Sequence, residues 1–227
     1  MIPLRDLNPV RRTPVVTWAL IGINVAVWLY QVGSGAPVIE RFGIVPEVVT
    51  GAGGLDSYWR LVTSMFVHAG WLHLLGNVWF LHVFGDNVED ELGRGPFAAF
   101  YLASGLAAAA THVAIDPASP YAMVGASGAI AGVLGAYLVL HPRARVVALV
   151  VVVFAELPAW IFLFVWFGLQ LVHGLGSLGS EPSGGVAFFA HVGGFVAGLA
   201  MMFVLRGTEP PQEPQDEAQP KGLSGGA

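Results

Sequence analysis

The chain has 227 residues, 55% of them hydrophobic and only 11% charged, with a formal net charge of −5. A soluble domain carries about 25% charged residues, so this composition excludes an ordinary water-soluble fold and points to one integral membrane domain with short ends. The negative balance argues against nucleic acid as a partner, and the lack of cysteine removes disulfides, thiolate nucleophiles and cysteine–zinc sites.

Taken in chain order, residues 1–13 read as a cytoplasmic N-terminal segment. A helix needs roughly 20 mostly apolar residues to cross the hydrocarbon core, and the first such stretch lies near 14–32. It reads as a retained span, not a cleaved leader, because cleavage would leave an odd number of spans. The longest connection, 33–70, carries Trp59-Arg60 and is expected to be partly folded and membrane-associated without adding a span. Further spans are expected near 71–88, 96–114, 122–141, 155–176 and 186–205. The run Val146–Val153, with Glu156 and Pro158 after it, is too short to cross alone; it either extends the fifth span or lies at the interface. Residues 206–227 are rich in Pro, Gln, Glu and Gly, bury no apolar surface, and read as a disordered cytoplasmic tail.

Lysine and arginine bias sets the orientation. With the N-terminus inside, Arg5, Arg11, Arg12, Arg94, Arg143, Arg145, Arg206 and Lys221 face the cytoplasm, and only Arg41 and Arg60 lie outside. The expected fold is therefore an all-α, multi-pass bundle of six transmembrane helices spanning 14–205, with both termini cytoplasmic.

This parity makes spans two, four and six all descend from the outer face. Span two opens with His73 and Asn77, span four with Ser127, and span six with His191. At 1.5 Å per residue, all four groups are expected some 5–10 Å below the outer helix ends. Polar groups inside a bilayer are expensive and face the bundle interior or a wet cavity. Gly128, Gly132 and Gly135 form one bare stripe on span four, while Gly194 and Gly198 share the face of His191 on span six. Small residues at such spacing let membrane helices approach closely. If the two faces meet, Ser127 and His191 come within one hydrogen bond, and a serine hydroxyl becomes a nucleophile when a base takes its proton.

Each feature alone has a plainer reading: Gly-x-Ser-Gly as packing, His191 as an interhelical hydrogen bond, Asn77 as helix glue. Their common depth and the glycine faces are what those readings leave unexplained. His68 and His73 lack the spacing of a helix-borne zinc site, and His82, His112, His141 and His173 have no partners readable from sequence. Glu156 reads as a solvated or snorkelling carboxylate at the cytoplasmic end. No carboxylate falls at the depth of the pair, so a Ser–His dyad without the orienting acid of a triad is expected.

In their order, these residues resemble the rhomboid intramembrane serine proteases of the prokaryotic, six-span type, over about residues 14–205. Trp59-Arg60 matches the W-R of the first outer loop, and His73 with Asn77 the H-x-x-x-N of the second span. Gly125, Ser127 and Gly128 match G-x-S-G; His191, Gly194 and Gly198 match A-H-x-x-G-x-x-x-G. The resemblance implies Ser127 as nucleophile and His191 as general base. Asn77 and His73, with the Ser127 backbone N–H, would flank the oxyanion, Trp59 and Arg60 would shape the loop, and Glu89 would be a structural carboxylate. It implies a peptide-bond hydrolase of the cell membrane, its site opening to the extracytoplasmic face, acting on single-span or other transmembrane substrates without metal or other cofactor. A lateral opening beside span five and a lid over Ser177–Gly185 are further expectations. Ala131 stands where some members carry a tyrosine against the histidine, and Gly76 where some carry an aromatic. Two rivals remain: a non-catalytic rhomboid-like protein that binds transmembrane clients, and a small polytopic transporter.

Overall fold

The computed structural model describes residues 1–51, 57–177 and 187–207. All but the first two residues of the expected tail and most of the expected lid lie outside the described residues. Six long helices carry the fold: α1 (Val15–Ser34), α5 (Trp71–Leu92), α6 (Arg94–Ile115), α7 (Ser127–Leu140), α8 (Ala159–Ser177) and α9 (Phe188–Gly207). Four of them, α1, α6, α8 and α9, are long and apolar enough to cross a membrane. Among the described residues between α1 and α5 the chain forms the short helices α2 (Val38–Phe42), α3 (Pro46–Thr50) and α4 (Arg60–Thr63) and a 3₁₀ turn at Ser64–Phe66. The described residues of the long connection are thus folded, and among them no helix is long enough to add a span.

Helix α7 is the axis of the bundle. Its residues 128–138 are all buried, and it packs on α5, α6, α8 and most extensively on α9. At 14 residues it is about 21 Å long, shorter than the 122–141 span expected from hydropathy. Residues 122–126 are not helical because Gly125 takes a φ of +121°, which ends regular backbone there. The strand-like pairing of Met123 with Ile44 then draws this segment towards the α2–α3 connection. Ser127 consequently stands at the very start of its helix.

Helix α5 is less apolar than its length suggests because its last turns carry Asp86, Glu89, Asp90 and Glu91. These acids have assigned work. Glu89, buried at 3% exposure, accepts hydrogen bonds from the backbone N–H groups of Val16 and Thr17 at 2.9 and 2.7 Å, and from the Thr17 hydroxyl at 2.8 Å. The first N–H groups of a helix have no intrahelical acceptor, and negative charge is favoured beside them. Glu89 thereby caps α1 from a neighbouring helix, Pro14 at its N-cap position providing no side-chain bond. Arg11 closes the same corner on Asp90 at 3.1 Å and Glu91 at 3.0 Å.

The all-α expectation needs correction. A three-stranded antiparallel sheet, β1 (Ile2–Asp6), β2 (Arg145–Val150) and β3 (Val153–Pro158), lies at the end of the bundle where α7 finishes and α8 begins. Its register pairs Asp6 with Val146, Ile2 with Leu149, and Val150 with Val153. The β-branched run that read as helix extension or interface is a hairpin, in keeping with the preference of such residues for pleated backbone. Glu156 faces Arg145 across it at 3.8 Å, both more than half exposed.

Strand β1 is tied to α5 as well as to β2. The Trp79 indole N–H donates to the Pro3 carbonyl, Asn8 bonds to Asn87, and the Asp6 carboxylate accepts from Asn87 Nδ2 and the Tyr137 hydroxyl at 2.8 Å each. Burial, partly offset by the Tyr137 bond and reinforced by nearby Asp86, pushes the Asp6 carboxyl up from 3.8 to about 6. A carboxyl whose folded pKa is raised binds its proton more tightly in the docked state. Docking of β1 should be firmest below about pH 4, weaken as pH rises through about 6, and level off above. Amide exchange at Leu149, corrected for intrinsic rates, should report that slope, and Asp6→Asn should flatten it while protecting the strand at pH 8.

Candidate active site

Ser127 is the first residue of α7, so its backbone N–H has no helical acceptor and its side chain projects from the positive end of the helix. His191 lies one turn into α9 and is 7% exposed. The two helices meet along bare faces. A Cβ on Gly194 would fall against the carbonyl of Gly128, one on Gly198 would lie 2.5 Å from the Gly132 Cα, and one on Gly135 would run into the backbone of Phe195 and Leu199. With nothing but backbone between them, the helices bring His191 Nε2 to 2.7 Å from Ser127 Oγ.

Ahead of the serine, Gly125 serves two needs. Its φ of +121° is one that residues with side chains rarely adopt, and a Cβ there would sit 2.5 Å from His73 Nε2 and 3.6 Å from Asn77 Nδ2. The turn is pinned by a bond from the Gly125 N–H to the Ser64 carbonyl at 2.8 Å. His73 Nδ1 accepts from the Ala69 N–H at 3.4 Å, which leaves Nε2 as the protonated, donating nitrogen of a neutral ring. Asn77 Nδ2 is buried and has no hydrogen-bond partner among the described residues. A buried donor without an acceptor costs about 1–3 kcal/mol. Here the orphan faces the turn that leads into Ser127.

His68, completely buried, stacks edge-on to His73 with centroids 5.1 Å apart. Burial and the neighbouring His73 push its pKa down to about 4, so it stays neutral and puts no charge beside the turn. Trp59 and Arg60 sit away from this constellation. Trp59 packs on Phe42, the Arg60 guanidinium lies 5.5 Å from the Trp59 ring centroid, and Arg60 donates to the Glu40 carbonyl at 3.3 Å. Of the other histidines, His82, His141 and His173 each pack on an aromatic ring.

Two side chains at the site went unread in the sequence. Gln170 Oε1 lies 2.8 Å from His191 Nδ1, and Trp166 lies beside the same imidazole, with centroids 6.1 Å apart and planes inclined by 33°. Both come from α8, one turn apart on one face. The signal available was a lone amide inside an otherwise apolar span. The aromatic ring beside His191 comes from α8.

Residues 55–208 match the profile of the Rhomboid domain. The chain belongs to the rhomboid family. It is 31% identical over 173 residues to RHOMBOID-like protein 5 of Arabidopsis thaliana, covering 76% of this chain and 51% of that protein. Against RHOMBOID-like protein 6, mitochondrial, of the same organism it is 31% identical over 176 residues, with 76% and 51% covered. Against the rhomboid protease GluP of Bacillus subtilis it is 34% identical over 129 residues, covering 55% of this chain and 24% of that protein. The chain thus spans about half or less of the length of these relatives. Within this rhomboid domain, two clefts open at the sheet end, one lined by Arg12, Glu89, Asp90 and Arg94, the other by Asn8, His141, Arg143 and Trp160. Neither reaches Ser127 or His191.

Proposed function

We propose that this rhomboid is an intramembrane serine endopeptidase that cuts a peptide bond in or near a transmembrane segment of another membrane protein. The observation that carries the reading is the 2.7 Å contact between His191 Nε2 and Ser127 Oγ. The unpartnered Asn77 donor and the free N–H groups at the start of α7 support it. In this reading all six long helices span the cell membrane, both termini are cytoplasmic, and the site opens to the extracytoplasmic side.

Chemically, Nε2 takes the hydroxyl proton as Oγ bonds to the scissile carbonyl carbon. Negative charge develops on the carbonyl oxygen, where Asn77 Nδ2, His73 Nε2–H and the Ser127 N–H act as donors. The C–N bond then breaks, and the imidazolium returns its proton to the leaving amine. Water attacks the acyl ester with His191 again as base, releasing the acid and restoring the serine. His191 is buried, so substrate and water enter only after an opening, for which the lateral route beside α8 implied by the resemblance is the candidate. A helical substrate shields its own peptide bonds, so small residues and helix breakers near the cut are expected.

The test is to reconstitute the purified chain with a panel of single-span substrates and sequence the fragments. Cleavage within or beside the apolar segment is the expected result. Stable capture of the same segments without fragments would replace the reading with a client-binding one, and solute flux untouched by Ser127→Ala would favour a transporter.

A further inference from the structure

A base that is to take the Ser127 proton through Nε2 must present that nitrogen bare. In a neutral imidazole the proton then sits on Nδ1, and which nitrogen is bare depends on the bond the other one makes. His191 Nδ1 has its partner at 2.8 Å, the Oε1 of Gln170. An amide oxygen accepts, so this contact holds the proton on Nδ1 and leaves Nε2 free towards Ser127. Among the described residues no carboxylate hydrogen-bonds to His191. We infer that Gln170 is a positioning residue for the base, doing with a neutral amide what an acid does in a serine-protease triad.

The choice of an amide has a physical reason. Ionised carboxylates are costly within a bilayer unless paired, and a carboxylate beside an imidazole favours the protonated ring, which is no longer a base. An amide fixes the tautomer and the ring plane without adding charge. Trp166, one turn before Gln170, lies beside the same ring. Thus α8 supplies both an edge contact and a neighbouring aromatic, while α7 carries the nucleophile and α9 the base.

This inference rests on Ser127 and His191 being the reacting pair, and one experiment keeps the two apart. Wild type, Gln170→Leu and Gln170→Glu are reconstituted as full chains, and fluorophosphonate labelling, kcat, KM and the pH profile of kcat are measured. Gln170→Leu keeps similar bulk but no acceptor; its kcat should fall roughly 10- to 100-fold, part of the roughly 10²–10⁴-fold a positioned base supplies, with KM within about twofold. Gln170→Glu restores an acceptor, so its rate should recover above the acid limb, and that limb should move to higher pH because the coupled pair now titrates together. A Gln170→Leu enzyme with wild-type kcat overturns the inference. So does a loss in Gln170→Leu that Gln170→Glu neither rescues nor accompanies with a moved limb, since packing alone explains it. Failure of the wild type itself to label at Ser127 overturns the protease reading, and this inference with it.

Discussion

Ser127→Ala should abolish both fluorophosphonate labelling and substrate cleavage while leaving the bundle folded. The hydroxyl's hydrogen bond is to His191, and alanine is at least as good a helix former as serine, so the cost to the fold is confined to the Nε2 left without that partner, about 1–3 kcal/mol. Where a serine hydrolase loses its nucleophile, kcat drops by roughly 10⁶-fold, and removing the base as well adds little because the two act as a unit. His191→Ala should therefore be about as inactive as Ser127→Ala, and the double variant no worse. Asn77→Ala should lose less, roughly 10²–10³-fold in kcat, the usual cost of one donor to the developing oxyanion. Labelling of Ser127→Ala at the wild-type rate would remove the serine from the mechanism. Loss in Ser127→Ala with full activity in His191→Ala would mean another group takes the proton.

Hydropathy located the helices to within a few residues because length and apolar content are what a bilayer demands of them. It overestimated α7, whose sequence is as greasy at residues 122–126 as further along. What stops the helix there is the backbone conformation of Gly125, not any change in polarity. The glycine spacings on α7 and α9 pointed to a close crossing, since bare faces at intervals of three and four have few other uses. The sheet was illegible for a different reason. Its first strand lies 139 residues before the next by number (Ile2–Asp6 against Arg145–Val150), and an apolar run such as Val146–Val153 reads equally well as buried helix or strand until its partner is known. Gln170 was visible as a polar residue in an apolar span, yet nothing in the sequence places α8 beside the face of α9 that carries His191. That adjacency is a property of packing.

The same packing makes the α7–α9 crossing the most sensitive part of the fold to added volume. Gly198→Ala would put a methyl group 2.5 Å from the Cα of Gly132 and closer still to its carbonyl oxygen. These are backbone atoms of a central helix, so no side-chain rotation relieves the clash and the helices must move apart. Between membrane helices the attraction is mainly van der Waals contact and hydrogen bonding, without the hydrophobic drive available in water, so separation forfeits contacts along the whole crossing. Overpacking costs about 1–3 kcal/mol in well-packed interiors, and the upper end is expected here. The site should suffer as well, because a shift of about 1 Å on this interface stretches the Ser127–His191 contact from 2.7 Å past the limit of hydrogen bonding; misplacement of that size costs about 10²-fold in rate. Gly22→Ala is the matched control, a helical glycine on α1 with no atom within 4 Å of a new Cβ, and helix propensity alone should leave it unchanged or steadier by up to about 1 kcal/mol. Thermal inactivation in detergent and single-turnover cleavage would measure both effects. If Gly198→Ala matched wild type in both, α7 and α9 would not be in backbone contact, and the proximity of alcohol and imidazole would lose its structural cause.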